Sequence, residues 1–135
     1  MRGWSGIVLP LCLLGAGSAL AAQQALGMLS RLQSGNWTIK SQDGAPLRTL
    51  CLTSGTQLVQ LRHAGSTCGR YIVEDDADKV TVQYTCPRNG YGRTSIRKET
   101  PTLVQIESQG IAGGLPFQFK AEARRTGPCK RPAAR

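Results

Sequence analysis

The chain has 135 residues, a formal net charge of +9 at neutral pH, five cysteines, and arginine in excess of lysine by twelve to five. That length is a normal size for one domain with a modest core, and no internal repeat, low-complexity stretch or second-domain linker is expected within it. So basic a chain would point to nucleic acid in a cytosol, but its N-terminus directs it elsewhere.

Arg2 forms a short basic region, Ile7 to Gly17 an apolar stretch, and Ala19-Leu20-Ala21 a small-x-small cleavage site. The apolar stretch is too short to span a bilayer, which takes about 20 residues, and suits the hydrophobic part of a secretory signal. Residues 1–21 are therefore expected to be a signal peptide, and Cys12 leaves with it. The four remaining cysteines, an even number in an exported chain, predict two disulfides. Outside the cytosol the available polyanions are phospholipid head groups, lipopolysaccharide phosphates and acidic glycans, not nucleic acid.

Residues 22–34 hold Ala25, Leu26, Met28, Leu29 and Leu32 at helical spacing, which predicts a short amphipathic helix ending at Gly35. Residues 35–130 are expected to form the disulfide-linked domain. Strands are predicted at Asn36–Ser41 and Pro46–Leu52, and a second helix at Thr56–Ala64 with Thr53 or Ser54 as N-cap and Gly65 as stop. His63 then sits exposed at the helix end.

From Cys68 the hydrophobic period becomes two. Folding the chain about Asp76-Ala77-Asp78 sets Cys68 opposite Cys86, Arg70 opposite Tyr84, Ile72 opposite Val82 and Glu74 opposite Val80. One face of that hairpin is then mainly apolar, and a slip of one residue would turn one strand over. This register predicts a Cys68–Cys86 disulfide, and Cys51–Cys129 follows as the remaining pair. Asn89-Gly90 are candidates for positive φ in the next turn. A hairpin about Thr100-Pro101 follows, and then a strand with Phe117, Phe119, Ala121 and Ala123 inward and Gln118, Lys120, Glu122 and Arg124 outward. Residues 131–135 make a basic tail. The pattern predicts an all-β, mainly antiparallel domain: a curved sheet or partial barrel of about six to seven strands with one or two short helices near its N-terminal half.

Several chemistries lack their residues. Zinc sites bring ligands as close pairs, whereas the cysteines of the exported chain are separated by 16, 17 and 42 residues and only His63 could assist. A redox pair needs Cys-x-x-Cys, which is missing. A cysteine nucleophile with His63 as base competes with oxidation of the cysteines. The acidic run Glu74-Asp75-Asp76-Ala77-Asp78 reads as a solvated turn, since a calcium loop needs a longer alternation of oxygen ligands. Asn36-Trp37-Thr38 matches a glycosylation sequon, relevant only in a host that glycosylates such sites. No cofactor, metal or catalytic constellation is expected, and the protein is read as not an enzyme. The candidate binding residues are Arg88, Arg93, Arg97 and Lys98 on one hairpin and Arg124 and Arg125 near the end of the last strand. The candidate pocket lining is Ile72, Val82, Tyr84, Phe117 and Phe119.

Gly35-x-Trp37, Cys51-Leu52-Thr53 and Arg124-Arg125-x-Gly127-x-Cys129, with four spaced cysteines, resemble the exported bacterial family known as domain of unknown function 3617. The resemblance covers roughly Gly35 to Lys130, although the methionine-rich stretch of many members is missing. It implies a periplasmic, β-rich, disulfide-linked domain and assigns no catalytic residue. The expected function is binding of a lipid-like or envelope-derived ligand by a periplasmic module, the alternative being docking of an anionic surface or partner protein through the arginines; a small hydrolase is the remote alternative. N-terminal sequencing of exported protein should begin at Ala22, or at Gln23 if cleavage slips by one; a mature chain starting at Met1 would overturn the export argument.

Overall fold

A computed structural model describes residues 26–130 except Asp43 and Ala45. The expected signal peptide, Ala25 and the basic tail lie outside the described residues. Seven antiparallel strands form one open sheet: β1 (Gly35–Ser41), β2 (Pro46–Leu52), β3 (Gly69–Asp75), β4 (Lys79–Cys86), β5 (Gly90–Thr100), β6 (Leu103–Ala112) and β7 (Leu115–Gly127). Their order is β2-β1-β7-β6-β5-β4-β3. β3 to β7 run as a meander, and the β1–β2 hairpin joins it through β1 against β7. The sheet is therefore the expected antiparallel one, open and not closed into a barrel, with little helix.

Alternation along the strands makes one face apolar. Val80, Val82 and Tyr84 of β4, Ile96 of β5, Val104 and Ile106 of β6, Ala121 and Ala123 of β7, and Trp37 and Ile39 of β1 are all buried. Register aligns them in rows: Val80 faces Ile96, Ile96 faces Ile106, Ile106 faces Ala121, and Ala123 faces Ile39. Burying each large member stabilises the fold by roughly 1.5–3 kcal/mol. An apolar sheet face needs a cover, and here it comes from α1 (Gly27–Ser30) and from the connection between β2 and β3, which lie at opposite edges of the sheet. Met28, Leu29, Leu58 and Val59 seal the core from that side. Gly55 is required where the two covering pieces meet, because a Cβ there would run into the Leu29 carbonyl.

The covering pieces are less helical than their spacing predicts. α1 is a single turn, after which Gln33 donates its N–H to Pro101 and gives its carbonyl to the Trp37 indole, 2.9 Å in each case. The predicted helix over Thr56–Ala64 is two 3-10 turns, Gly55–Leu58 and Leu61–His63. Ser54 does cap the first of them, with Gln57 completing a capping box. An α-helix would have used the Val59 carbonyl for the His63 N–H; instead Thr94 Oγ1 donates to that carbonyl at 2.6 Å, and His63 donates to Gln60. Tertiary hydrogen bonds have displaced the helical ladder.

The β3–β4 register holds for Arg70–Tyr84 and Ile72–Val82 and then shifts. A bulge between Ile72 and Glu74 sets Glu74 against Thr81, correcting the expected pairing with Val80, and the Glu74 carboxylate accepts from the Thr81 hydroxyl at 3.1 Å. In the β4–β5 turn the positive φ angles belong to Arg88 (65°) and Gly90 (97°), not to Asn89. Both disulfides form as predicted: Cys68–Cys86 with Cα atoms 4.2 Å apart, and Cys51–Cys129 with Cα atoms 5.3 Å apart. The first clasps β4 to the residue preceding β3. The second carries the chain beyond β7 past the start of β1 to β2.

The Cys68–Cys86 loop spans 18 residues of sequence separation, for which chain entropy predicts a stabilisation of about 3 kcal/mol. Replacing both cysteines by alanine should lower the thermal midpoint by about 10 °C or more in circular dichroism; a drop of less than about 3 °C would show that the bond constrains little.

Candidate functional site

The two 3-10 turns hold a buried polar cluster against the inner face. His63 is 2% exposed, which corrects its expected place at an exposed helix end. Its Nε2 lies 2.7 Å from the Asn89 carbonyl and its Nδ1 3.0 Å from the Tyr84 hydroxyl. A carbonyl only accepts, so Nε2 carries a proton, and in the neutral ring Nδ1 then accepts from the phenol. The Tyr84 ring meets the His63 ring edge-on and lies over Gly92, where any Cβ would collide with the phenol. Gln60 donates to the carbonyls of His63 and Ser66, and Arg70 donates to Gln60 Oε1 at 3.1 Å. Among the described residues no buried side-chain nitrogen or oxygen lacks a partner. With both ring nitrogens engaged and all four described cysteines in disulfides, His63 and a cysteine are not available as base and nucleophile.

The cover stops short of one corner of the inner face. There Ile39, Leu47, Leu61 and Phe119 form the apolar walls of a crevice of about 290 Å³, which Arg48 and Arg62 also line. β1 and β7 supply Ile39 and Phe119 from adjacent strands. Arg48, opposite Ile39 on β2, reaches the Leu61 carbonyl at 3.1 Å and so ties the edge strand to the second 3-10 turn. Arg62 places its guanidinium over the Phe117 ring, 5.3 Å from its centroid, and Phe117 stacks on Phe119 with centroids 6.3 Å apart. A cation held on an aromatic face in this way keeps its charge beside apolar surface. Leu47 and Leu115, 49% and 71% exposed, leave apolar surface facing solvent.

Of the candidate lining residues, Phe117 and Phe119 lie on this open side. Val82 and Tyr84 are sealed within the core, and Ile72 is half-buried on β3. The candidate basic residues are dispersed. Arg93, Arg97 and Arg124 point to the outer face, with Arg97 bonded to Glu99 and Arg124 to Glu122, 3.2 Å in each case. Lys98 points to the inner side and pairs with Asp78; Arg125 Nε donates to the Ser34 carbonyl; Arg88 stands in the β4–β5 turn. Arg48 and Arg62 were not among the sequence candidates. Their signal was faint: an arginine alternating with leucines in a strand, and one beside the single histidine.

No protein-family model, curated protein or solved structure matches the chain.

Burial pushes the Tyr84 phenol above its ordinary value of 10.0, against an opposing pull from the Arg62 charge. The folded protein thus holds this proton to higher pH than the unfolded chain, so the stabilisation is full below about pH 10 and is lost as pH rises through the folded value. Tyr84→Phe should remove that alkaline sensitivity from urea-melt profiles, and at neutral pH should cost about 1–3 kcal/mol by leaving His63 Nδ1 without a donor. An unchanged neutral stability would mean the hydrogen bond contributes nothing.

Proposed function

We propose that the protein is an exported, non-catalytic binding module whose ligand is a small amphiphilic anion. Its apolar part would rest against Ile39, Leu47, Leu61 and Phe119, and its charge against Arg48 and Arg62. The observation that carries this reading is the crevice itself: apolar walls, a volume of about 290 Å³ and two guanidinium groups at one site. Apolar contact there contributes about 25 cal/mol per Å² removed from water, and the guanidinium fork matches a carboxylate or phosphate in geometry as well as charge. Envelope lipids and their fragments have this combined chemistry.

Export is supported by the two disulfides, which persist in oxidising compartments, and by the signal-like residues 1–21. Among the described residues no helix is long and apolar enough to cross a membrane. The motif resemblance to the exported family 3617 would make that compartment the periplasm. Docking of an anionic surface through the arginine clusters draws on less, because Arg97, Lys98 and Arg124 are already paired with carboxylates.

Isothermal titration with decanoate, decyl phosphate and neutral decyl maltoside tests the reading. Either anion should bind once per chain, and the neutral amphiphile should bind at least about tenfold more weakly. Arg48→Glu with Arg62→Glu should weaken the anions by about tenfold or more, since a charge-assisted contact is worth roughly 1.5–3 kcal/mol. Equal binding of all three amphiphiles, or anion binding untouched by the double substitution, would overturn it.

A further inference from the structure

The outer face of the sheet bears a second feature, remote in chemistry from the crevice. Strand register places Tyr71, Gln83, Arg93, Gln109 and Gln118 in one unbroken row across β3, β4, β5, β6 and β7. Tyr91 and Pro116 stand in the row beside it, joined through Ile111. Gln83, Tyr91, Arg93, Gln109, Pro116 and Gln118 line one open groove of about 580 Å³. The three glutamines and Arg93 are exposed, and none of their side chains has a hydrogen-bond or ion-pair partner among the described residues. Glu107, the carboxylate in the adjacent row, is occupied by Lys120 at 3.2 Å. Arg93 is thus a free cation set among free amides, with the half-exposed ring of Tyr91 beside it.

This chemistry selects among ligands. The apolar lining is limited to Phe117 and Pro116 beside the Tyr91 ring, too little to enclose a lipid tail in an open groove. A peptide strand recognises a sheet through the unpaired backbone of an edge, and β4 to β7 are interior strands whose backbone groups already serve the ladder. Recognition must therefore come from side chains alone, spaced by the strand separation of about 4.8 Å, which is close to the length of one pyranose unit. A primary amide offers two donors and an acceptor, which suits adjacent sugar hydroxyls. A guanidinium accepts a carboxylate bidentately, and an exposed tyrosine ring presents a flat face to sugar C–H groups.

We infer that this groove binds an acidic oligosaccharide, with Arg93 holding a sugar carboxylate, Gln83, Gln109 and Gln118 the hydroxyls, and Tyr91 one ring face. The groove also reaches Phe117, which carries Arg62 and stacks on Phe119 of the crevice, so the two sites are told apart by Arg93 and the three glutamines.

NMR titration of the mature protein with trigalacturonate, maltotriose and a triglutamate peptide tests it, at about 50 mM salt so that charge is not heavily screened. Trigalacturonate should shift the side-chain amide signals of the three glutamines, and should bind at least about tenfold more tightly than maltotriose or triglutamate. Arg93→Gln should bring trigalacturonate to within about twofold of maltotriose, and Tyr91→Ala should weaken both sugars by about tenfold. Both variants alter exposed side chains, so their thermal midpoints should match the parent and separate lost binding from lost folding. No response of the glutamine signals, triglutamate binding as tightly as trigalacturonate, or shifts at Leu47, Leu61 and Phe119 instead would each overturn the assignment.

Discussion

A single open sheet with one apolar face cannot stand alone in water, and in this protein the segment that covers it is held at both ends by disulfides. The connection from β2 to β3 leaves one sheet edge just after Cys51, crosses the inner face, and reaches the other edge just after Cys68. Cys51–Cys129 ties its start to the chain beyond β7, and Cys68–Cys86 ties its end to β4. Between these clasps the segment is sewn down by polar contacts: the Val59 carbonyl to Thr94, His63 to Tyr84 and Asn89, and Gln60 to Arg70. A short cover with few helical hydrogen bonds of its own depends on such anchors, because each buried carbonyl left unpaired would cost free energy of its own.

The incompleteness of the cover leaves one corner of the apolar face open. Trp37, Leu58 and Val59 seal the core on one side, but Phe117 and Phe119 at the other side remain only half-buried. Arg48 and Arg62 border that gap, one bonded to the crossing segment and one resting on an aromatic ring. The outer face differs because alternation hands it the other half of each strand's residues, here amides, hydroxyls and charges. The same period of two that buries Val82 and Ile96 therefore exposes Gln83 and Arg93 in a row. Two faces of one sheet thus present two distinct chemistries: the outer groove is built from residues that share a row, and the inner crevice from strand residues together with Leu61 and Arg62 of the covering segment.

The strands and the Cys68–Cys86 disulfide were legible because their signals are local, and Cys51–Cys129, 78 residues apart, then followed as the remaining pair. In β7 the alternation from Phe117 to Arg124 states the inward face outright. In the β3–β4 hairpin the loop position and the apolar pair Ile72–Val82 leave one register, which also sets Arg70 opposite Tyr84 and brings Cys68 to Cys86. The bulge before Glu74 escaped because an extra residue near a hairpin end leaves the apolar pairs before it untouched. The helices were overestimated because spacing reports only which side chains can face the core, and says nothing of a distant Thr94 that takes the carbonyl a helix would need.

By itself the sequence determined the all-β class, the strand positions and the Cys68–Cys86 pair, which leaves Cys51 to Cys129, since period-two alternation and cross-strand proximity act over a few neighbouring residues. Which strands become edges, where the cover ends, and which arginines meet an apolar wall depended on pairings between remote segments, as of β1 with β7. The candidate arginines were grouped by nearness in sequence, but successive residues of a strand point to opposite faces. That is why Arg97 and Lys98 part company while Arg48 and Arg62, from different elements, line one crevice.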